Sequence, residues 1–433
     1  MKNIKLKKFL ETLLYNYLLL PTLIGVIGIG LAFGTLAFDR MIQFEPSWLY
    51  ASGPKAARSL LSTIASSIVS IAATTFSVIV VLLNLTSSQF GPRLVINFMR
   101  DTSNKVVLGT FIATFLHCLL VLRAVQEKPS VFVPHISITV GILLAITSVV
   151  MLIYFVQHAA KSIQSWEIIQ NTSSDLDSSI NTLLSRKFGQ GRAASRGVEE
   201  IPSDKEASPI LATGGGYIQG VDDEALVKIA SSFDILVRVK HRPGNYIVEG
   251  DELARISPGK LANNQLTRQI NDALILGKQR SAIQDVEFSV NRLVEIAIRA
   301  ISPSINDPFT ALQCINKLTA GLCRLAESEI PSPYRYDNDN KLRLIRNQAT
   351  FAELTDSAFD PIRQYGRSDA MVAIGLLEAI ATVAQRTRHQ RQRAVLLDHA
   401  QAIERDSREV AFDQRDRKKI EEGYQTAVKA LEQ

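Results

Sequence analysis

Four long stretches without a charged side chain lie near the N-terminus of the 433-residue chain. Lipid cannot hydrogen-bond to exposed backbone groups, so a chain usually crosses a bilayer as a helix of about 20 predominantly apolar residues. Each stretch reaches or approaches that length. They lie between Glu11 and Asp39, between Arg58 and Arg93, between Lys105 and Arg123, and between Lys128 and Lys161. The sequence therefore predicts a four-helix transmembrane domain over residues 1–160, followed by a water-soluble region.

The loops between these helices predict the topology. The expected spans are 15–38, 59–85, 106–122 and 133–158. The first stretch follows a basic start, but it is too long for a signal peptide and no cleavage site ends it. Basic residues are concentrated before the first span and between the second and third: Lys2, Lys5, Lys7, Lys8, Arg93, Arg100 and Lys105. Because cytoplasmic loops are enriched in Lys and Arg, both termini are predicted to be cytoplasmic.

The second span carries a polar stripe along one side. At about 100° per residue, side chains three and four positions apart share a helix face. The opposite side is apolar and includes Leu61, Ile68 and Leu82. Two interpretations remain open, namely packing against other helices and a hydrated pathway. The stripe consists of Ser59, Thr63, Ser66, Ser70, Thr74, Ser77 and Asn84.

Three other features of the membrane region call for interpretation. His117 lies well inside the third span, where it can contact a proton or ion, or simply hydrogen-bond a neighbouring helix. The Gly30-x-x-x-Gly34 spacing permits close helix approach, and we interpret it as packing within the bundle, with a dedicated dimer motif as the alternative. Gly91-Pro92 predicts the end of the second helix, and residues 95–100 read as a short amphipathic helix at the cytoplasmic interface.

The soluble region is predicted to be α+β, with a small β module followed by a helical bundle. The expected parts are a helical extension over 161–188, a polar linker over 189–209, a β-rich module over 210–260 and a helical domain over 261–433. In the β module, turns separate three short strands at 235–239, 246–248 and 253–256, and these resemble the hairpins of lipoyl-type barrels without the lysine that those carriers modify. In the helical domain, Asp307 is expected to cap a helix that begins at Pro308. Further helices are expected at 344–366, 368–388 and 392–404, with a loop over 334–340 and a charged helix at the C-terminus.

No constellation typical of an enzyme is present. Gly214-Gly-Gly216 lacks the Gly-Lys-Ser/Thr ending of a phosphate loop, and neither a nucleophile elbow nor a His-Glu-x-x-His motif occurs. The three cysteines do not have zinc-site spacing. The net charge of +6 comes without a basic stripe interleaved with aromatic residues, which argues against nucleic-acid binding. We therefore expect no enzymatic activity, no cofactor, no metal and no nucleic-acid partner.

Several motifs resemble a bacterial family of predicted membrane proteins, the domain of unknown function 2254. They are residues 87–94, 132–135 and 216–219, Pro243-Gly244 with Gly250, Gln284-Asp285, and most distinctively residues 299–311 (Arg-Ala-Ile-Ser-Pro-Ser-Ile-Asn-Asp-Pro-Phe-Thr-Ala). The resemblance implies four membrane spans and a cytoplasmic region, in a multi-pass protein of the bacterial inner membrane. The family has no established activity, cofactor or catalytic residue, so the resemblance assigns none to this chain.

Two functions follow as hypotheses. In the first, the protein is an oligomeric channel or transporter whose second span lines a polar pathway, with Lys55, Arg58 and Arg93 favouring anions. In the second, it is a membrane-anchored adaptor or sensor that contacts a cytoplasmic partner or ligand through Arg299, Asn306 and Asp307. The expected partners are the lipid bilayer, further copies of the chain and an unidentified cytoplasmic protein.

Overall fold

The fold is described from a computed structural model, for residues 18–41, 53–90, 101–127, 131–162, 164–185 and 206–433. The chain divides into two compact units, a membrane unit within Leu6–Glu167 and a soluble unit within Ile168–Gln433. The predicted short helix at 95–100 lies outside the described residues, as does most of the predicted linker. The predicted fold class is confirmed, with four apolar helices followed by small sheets and a helical bundle.

In its described residues the membrane unit has four helices that are long and apolar enough to cross a bilayer. They are α1 (Leu19–Met41), α2 (Pro54–Phe90), α3 (Thr102–Ala124) and α4 (His135–Ser162). In the most apolar 18-residue segment of α3 about 61% of the residues are buried, against 22–28% in the other helices. The helix α3 is therefore the central one, and it contacts the other three. At 37 residues α2 is about 55 Å long, which exceeds the thickness of a bilayer core.

Small residues set the distance between α1 and α3. A Cβ on Gly28 would lie 2.7 Å from the Cα of Ala113, and a Cβ on Gly109 would lie 2.7 Å from the Ile24 side chain. Gly30 and Gly34 differ, because no atom lies within 4 Å of a Cβ built on either. Our interpretation of Gly30-x-x-x-Gly34 as bundle packing is therefore wrong: Gly28 makes the close approach, while the other two face outward.

The soluble unit begins with α5 (Ser165–Leu184) and contains two small sheets. Their strands are β1 (Ser208–Leu211), β2 (Gly216–Val221), β3 (Leu236–Val239), β4 (Tyr246–Ile247), β5 (Glu252–Ser257), β6 (Leu274–Gly277), β7 (Tyr334–Tyr336) and β8 (Leu342–Arg346). One sheet has the order β1-β5-β3-β8-β7 and the other the order β4-β2-β6. All pairs are antiparallel except β3 with β8. A short turn of 3-10 helix (Gly259–Leu261), α6 (Asp223–Ser232) and α7 (Asn264–Ala273) complete this part, and apolar side chains of α6, α7 and both sheets share one core.

The rest of the soluble unit is helical. Its helices are α8 (Val286–Ala300), α9 (Pro308–Glu327), α10 (Phe351–Gly366), α11 (Ala370–Ala384), α12 (Gln390–Glu409) and α13 (Gln414–Glu432). The first four pack on one another, and α12 and α13 pack against this group. The predicted cap is confirmed, since Asp307 precedes Pro308 and accepts a hydrogen bond from the backbone N–H of Thr310 at 3.1 Å.

Three predictions for the soluble region are wrong. The predicted strands at 235–239 and 246–248 are real, but β4 pairs with β2 in the other sheet, so they do not form a hairpin. The predicted loop at 334–340 contains β7, and residues 342–346, largely expected to begin a helix, form β8. Residues 274–277, within the part expected to be helical, form β6. The strands β4, β6 and β8 pair with strands distant in the sequence, which no local pattern reveals, and β7 pairs with β8.

The packing of α1 against α3 leads to a prediction for Gly28. Replacing Gly28 with Val should lower the stability of the purified protein by about 1–3 kcal/mol, because the new side chain overlaps the Ala113 backbone. Thermal unfolding in detergent would measure the change. The matched control is Gly30→Val, which adds the same atoms to an open surface and should leave the melting temperature nearly unchanged. Equal effects of the two substitutions would contradict this account of the bundle.

Candidate functional site

The polar residues predicted on α2 lie together on its outward side. We define the polar face of α2 as Ser59, Thr63, Ser66, Ser70, Thr74, Ser77 and Asn84, all of which are exposed. The opposite side of the helix is buried in the bundle, as Leu61, Ile68 and Leu82 illustrate. Val81 falls on the polar face between Ser77 and Asn84 and is 61% exposed, so the hydroxyl series is unbroken only over 59–77. The structure thus gathers the predicted residues on one surface and brings none of them into the interior of the bundle.

Four of the six hydroxyls of this face, those of Thr63, Ser66, Ser70 and Thr74, are hydrogen-bonded to the helix itself. Thr63 donates to the Ser59 carbonyl at 2.8 Å, Ser70 to the Ser66 carbonyl at 3.1 Å, and Thr74 to the Ser70 carbonyl at 3.0 Å. Such bonds use the hydroxyl proton and leave oxygen lone pairs pointing away from the helix. The face is therefore lined by hydrogen-bond acceptors whose own donors are already satisfied.

The outward surfaces of the neighbouring helices are different in character. On α1, Leu23, Val26 and Phe33 are 57–62% exposed, and on α4, Leu143 and Val150 are 57–58% exposed. Bulky apolar side chains of this kind are what lipid contact favours. Among the described membrane helices, α2 is thus distinguished by a long outward series of small hydroxyl residues.

His117 is fully buried between α3 and α4. Its Nε2–H donates to the carbonyl of Ser137 at 3.0 Å, while its Nδ1 atom is buried without a hydrogen-bond partner. The hydroxyl of Ser137 donates to Asp39 at 2.6 Å, and the same carboxylate accepts the backbone N–H groups of Ile136 and Ser137, both at 2.9 Å. Asp39 at the end of α1 therefore caps the first turn of α4, whose free N–H groups need an acceptor. The sequence did not predict this role, because nearly a hundred residues separate the partners.

A second polar group holds the opposite end of the bundle. Asp101 caps α3 by accepting the Ser103 N–H at 2.8 Å, and it also pairs with His158 of α4. The ring of His158 stacks on Tyr154, whose hydroxyl donates to Ser103 at 3.0 Å. Of these residues, Asp101 is the one whose role the sequence could have predicted, because a charged residue just before the third span can cap the helix. Together these contacts fix α3 to α4 at this end.

In the soluble unit, the three candidate contact residues lie around the start of α9. Both carboxylate oxygens of Asp307 are used by Thr310, one by its N–H and the other by its hydroxyl at 2.6 Å. Asn306 is exposed with φ of +52°, a left-handed conformation that asparagine tolerates. Arg299 pairs with Glu295 one turn earlier at 3.7 Å. The geometry of these residues is that of a helix-connecting turn, and it presents no free carboxylate at Asp307.

A denser polar junction forms where the turn before β4 meets the segment that connects β6 to α8. Arg280 binds the carboxylate of Asp285 with two hydrogen bonds, at 2.8 and 3.0 Å. Asp285 also caps α8 by accepting the Phe288 N–H at 3.0 Å. Gly244 passes directly over this pair with φ of +96°, and a Cβ there would lie 2.3 Å from an Asp285 oxygen. Both the backbone conformation and the available space therefore require glycine at this position.

Neighbouring contacts extend the junction to two further elements. The side chain of Gln284 pairs with both backbone groups of Val221, accepting its N–H at 2.9 Å and donating to its carbonyl at 3.2 Å. Arg242 bridges Glu287 of α8 and Glu353 of α10, at 2.8 and 2.7 Å. The junction thus joins the sheets to the helical bundle.

The profile of a family described as "Predicted membrane protein (DUF2254)" matches residues 15–382 of the chain. The chain belongs to this family. It is 30% identical over 384 residues to uncharacterized proteins of Mycobacterium bovis and Mycobacterium tuberculosis, and the alignment covers 84% of this chain and 71% of each relative. No solved structure matches the chain. Together with the four apolar helices, the match identifies a multi-pass membrane protein.

The structure explains why three of the motifs that resemble the DUF2254 family belong together. Residues 216–219, Pro243-Gly244 and Gln284-Asp285 are far apart in the sequence, yet all contribute to the polar junction. Gln219 donates to the Gln279 carbonyl at 2.8 Å, and a Cβ on Gly216 would lie 2.7 Å from the carbonyl oxygen of Gly277. Close backbone packing, hydrogen bonds and the Arg280–Asp285 ion pair give these residues a structural role.

Two carboxyl groups of the junction have shifted pKa values in opposite directions. Burial raises the pKa of Asp285, and the Arg280 guanidinium offsets only part of that effect. For Glu353, burial also opposes ionisation, but hydrogen bonds from the Thr350 backbone and from Arg242 outweigh it and lower the pKa. Glu353 therefore stabilises the folded protein in its charged form.

One group of the described side chains has the composition of a metal site. Asp356, Asp360 and His399 offer ligand atoms within 4.8 Å of one another. His399 lies between the two carboxylates, with Nε2 2.9 Å from Asp356 and Nδ1 3.6 Å from Asp360. Arg363 also contacts Asp360, at 3.3 Å, and its guanidinium already supplies positive charge there. An ion-pair network between α10 and α12 explains the group, and we assign no metal to it.

The lowered pKa of Glu353 predicts how the stability of the junction depends on pH. Its contribution should be fully present above its ordinary pKa of about 4.5 and should be lost as the pH falls through the lower folded-state value. The Glu353→Gln variant should melt at a lower temperature at pH 7 and lose less stability than the wild type on acidification. Thermal unfolding between pH 7 and pH 3.5 would measure both effects. Glu249→Gln at an exposed turn is the control, and a parallel loss in Glu353→Gln and the wild type would contradict the assignment.

Proposed function

We propose that the protein is an oligomeric channel or transporter of the bacterial inner membrane, in which α2 of each copy lines a polar pathway. The observation that carries the proposal is the outward position of the polar face of α2. A single bundle leaves this face uncovered, whereas an assembly of several copies can turn it away from lipid. The partners in this assembly are further copies of the same chain.

The energetic argument depends on what surrounds these hydroxyls. The hydroxyls of Thr63, Ser66, Ser70 and Thr74 donate to their own helix, so their exposure to lipid is tolerable, but their remaining lone pairs then have no partner. In water they are hydrated, and against a second helix small hydroxyl residues permit close packing. Hydrogen-bond acceptors spaced along a helix also replace hydration water at several weak positions, as conduction requires. A hydrated interface between copies therefore suits the polar face better than lipid does.

Charge supports the orientation and the ion class. The lysines before α1 and the basic residues at 93–105 favour cytoplasmic termini. Arg58 donates to the Val125 carbonyl at 2.9 Å, and Lys55 beside it is exposed, so positive charge lies at the N-terminal end of α2. Arg93, at the other end, lies outside the described residues. Positive charge at a pathway mouth attracts anions, and anions are therefore the proposed cargo.

Proximity between copies tests the assembly. Ser70→Cys in native membranes should give covalent dimers and higher multimers with a short thiol crosslinker, because the polar face meets its equivalent. Val150→Cys on the outward side of α4, 58% exposed, should remain monomeric. The wild type serves as background, because Cys323 is partly exposed and can react by itself, whereas Cys118 and Cys314 are buried. Gel electrophoresis reads out the products, and the same yield from Ser70→Cys and Val150→Cys would overturn the proposed arrangement.

Ion flux in proteoliposomes tests the pathway. Replacing Ser66, Ser70 and Thr74 together with Leu should lower flux roughly tenfold or more, because apolar constrictions dewet a narrow pathway. The matched control replaces Val69, Phe76 and Val80 with Leu, since these are exposed beside the polar face. That variant should conduct normally, and reversal potentials in a chloride gradient would give the ion class. Wild-type flux no higher than that of empty vesicles would refute the channel.

The alternative is a membrane-anchored adaptor or sensor, and one observation favours it. Ile305 and Phe309, which flank the turn at Asn306 and Asp307, are 42% and 66% exposed in the soluble unit. Exposed apolar side chains beside a polar turn suit contact with a protein partner. The two functions separate in the same experiments: for an adaptor, liposomes show no flux and Ser70→Leu changes only stability.

A further inference from the structure

Two arginines and one aspartate meet inside the soluble unit. Arg335 lies on β7 and Arg346 at the end of the adjacent β8, while Asp223 begins α6, which packs against β8. Arg335 is 1% exposed and Arg346 is 3% exposed. Such burial requires that charges be paired and that their N–H groups find acceptors.

The hydrogen bonds of these arginines are incomplete. Arg335 uses one terminal nitrogen to donate to the Ser332 and Tyr334 carbonyls, while its other terminal nitrogen is buried without a partner. In Arg346, Nε and one terminal nitrogen are buried without a hydrogen bond. Asp223 lies 3.9 Å from Arg335 and 3.4 Å from Arg346, close enough for charge attraction but without a hydrogen bond to either. Three buried guanidinium nitrogens are thus left without a hydrogen-bond acceptor.

A third buried arginine, which lies on β8 like Arg346, has its charge paired with carboxylates through close contacts. Arg343 binds Asp337 at 2.6 Å and Asp234 at 2.8 Å, and these carboxylates raise its pKa in spite of its burial. Burial instead lowers the pKa of Arg335, and the neighbouring Arg346 lowers it further, although Asp223 acts in the opposite direction. Arg343 contacts two carboxylates, of which Asp234 also pairs with Lys341, whereas Arg335 and Arg346 share Asp223. A positive surplus therefore remains at the shared position.

We propose that Arg335 and Arg346 form a binding site for a phosphate group, carried by inorganic phosphate or a phosphomonoester. Guanidinium N–H groups match the spacing of phosphate oxygens and bind them through charge-assisted hydrogen bonds. A bound dianion would accept from the three open N–H positions and neutralise the surplus that Asp223 leaves. Ser332 and Pro333, close to Arg335 in the chain, are exposed, and the hydrogen bonds of Arg335 go to neutral carbonyls, so we propose that a ligand enters there. The site lies wholly within the soluble unit and is independent of the proposed transport.

Thermal unfolding and calorimetry of the full-length protein in detergent test the site. Inorganic phosphate is titrated in the low millimolar range at constant ionic strength with chloride, so that general salt effects cancel. The melting temperature should rise by a few degrees and saturate, as expected when a ligand binds only the folded state. Calorimetry should show a matching heat of binding. The proposal is overturned if the melting temperature responds equally to phosphate and chloride with no heat of binding, and if vesicles that contain phosphatidic acid also give no response that the arginine variants lose.

Three variants assign the response to these residues. Arg335→Gln and Arg346→Gln should abolish the phosphate-dependent rise, whereas Arg343→Gln should lower the starting melting temperature and keep the rise. If either of the first two fails to fold, Arg346→Lys keeps the charge but loses the planar fork, and its affinity should fall at least about tenfold. Retention of the full response in Arg335→Gln or Arg346→Lys would refute the assignment.

The source of the phosphate group is distinguished by a parallel titration with vesicles that contain phosphatidic acid. A response to inorganic phosphate that the arginine variants lose identifies a soluble ligand. A response to the vesicles alone, lost in the same variants, identifies a lipid headgroup. A vesicle response that survives in all variants belongs elsewhere on the protein and counts against the site.

Discussion

Hydrocarbon supplies no hydrogen-bond partner, and the membrane unit is organised around that constraint. At one end Asp39 satisfies the first N–H groups of α4, and at the other Asp101 caps α3 and pairs with His158. Between these ends the Thr114 and Ser148 hydroxyls meet at 3.0 Å. Polar groups inside the bundle thus largely satisfy one another across helices, and this ties α1, α3 and α4 together. The polar face of α2 is the place where the chain meets the constraint only by bonding to itself.

Charged side chains in the soluble unit obey the same rule in a different form. Arg280 takes both oxygens of Asp285, Arg343 takes two carboxylates, and Arg292 is 2.6 Å from Asp175. Each pair joins two segments distant in sequence or closes a turn, so breaking one would leave a buried charge and loosen a junction. Arg335 and Arg346 depart from this pattern, since among the described residues they share one nearby carboxylate, that of Asp223. That contrast within one sheet is why these two arginines, and not their neighbours, call for a ligand.

The sequence predicted those parts of the fold whose cause is local. Uninterrupted apolar stretches predicted α1 to α4, and Asp307 before Pro308 predicted the start of α9. The segment 342–346 was misassigned because its buried arginines resemble the polar side of a helix, whereas they are covered by α6 once β8 joins β3. The chemistry of the polar face of α2 was likewise visible in its spacing, but its outward direction was not. That direction depends on which side of α2 fits against α3, which is a property of the assembled bundle.

The way the hydroxyls of α2 are bonded bears on how such a face would treat ions. The hydroxyls at 63, 66, 70 and 74 donate to the carbonyl one turn earlier and present an oxygen lone pair outward, which suits a cation or a water proton. To hydrogen-bond an anion, the hydroxyl must rotate and give up a bond worth about 0.5–1.5 kcal/mol, which water or the anion then replaces. The face itself therefore discriminates weakly between the two signs of charge. Selectivity in an assembly of this kind would come from fixed charges at the mouths of the pathway, such as those of Lys55 and Arg58 at the N-terminal end of α2. The hydroxyls would serve chiefly to keep the pathway hydrated.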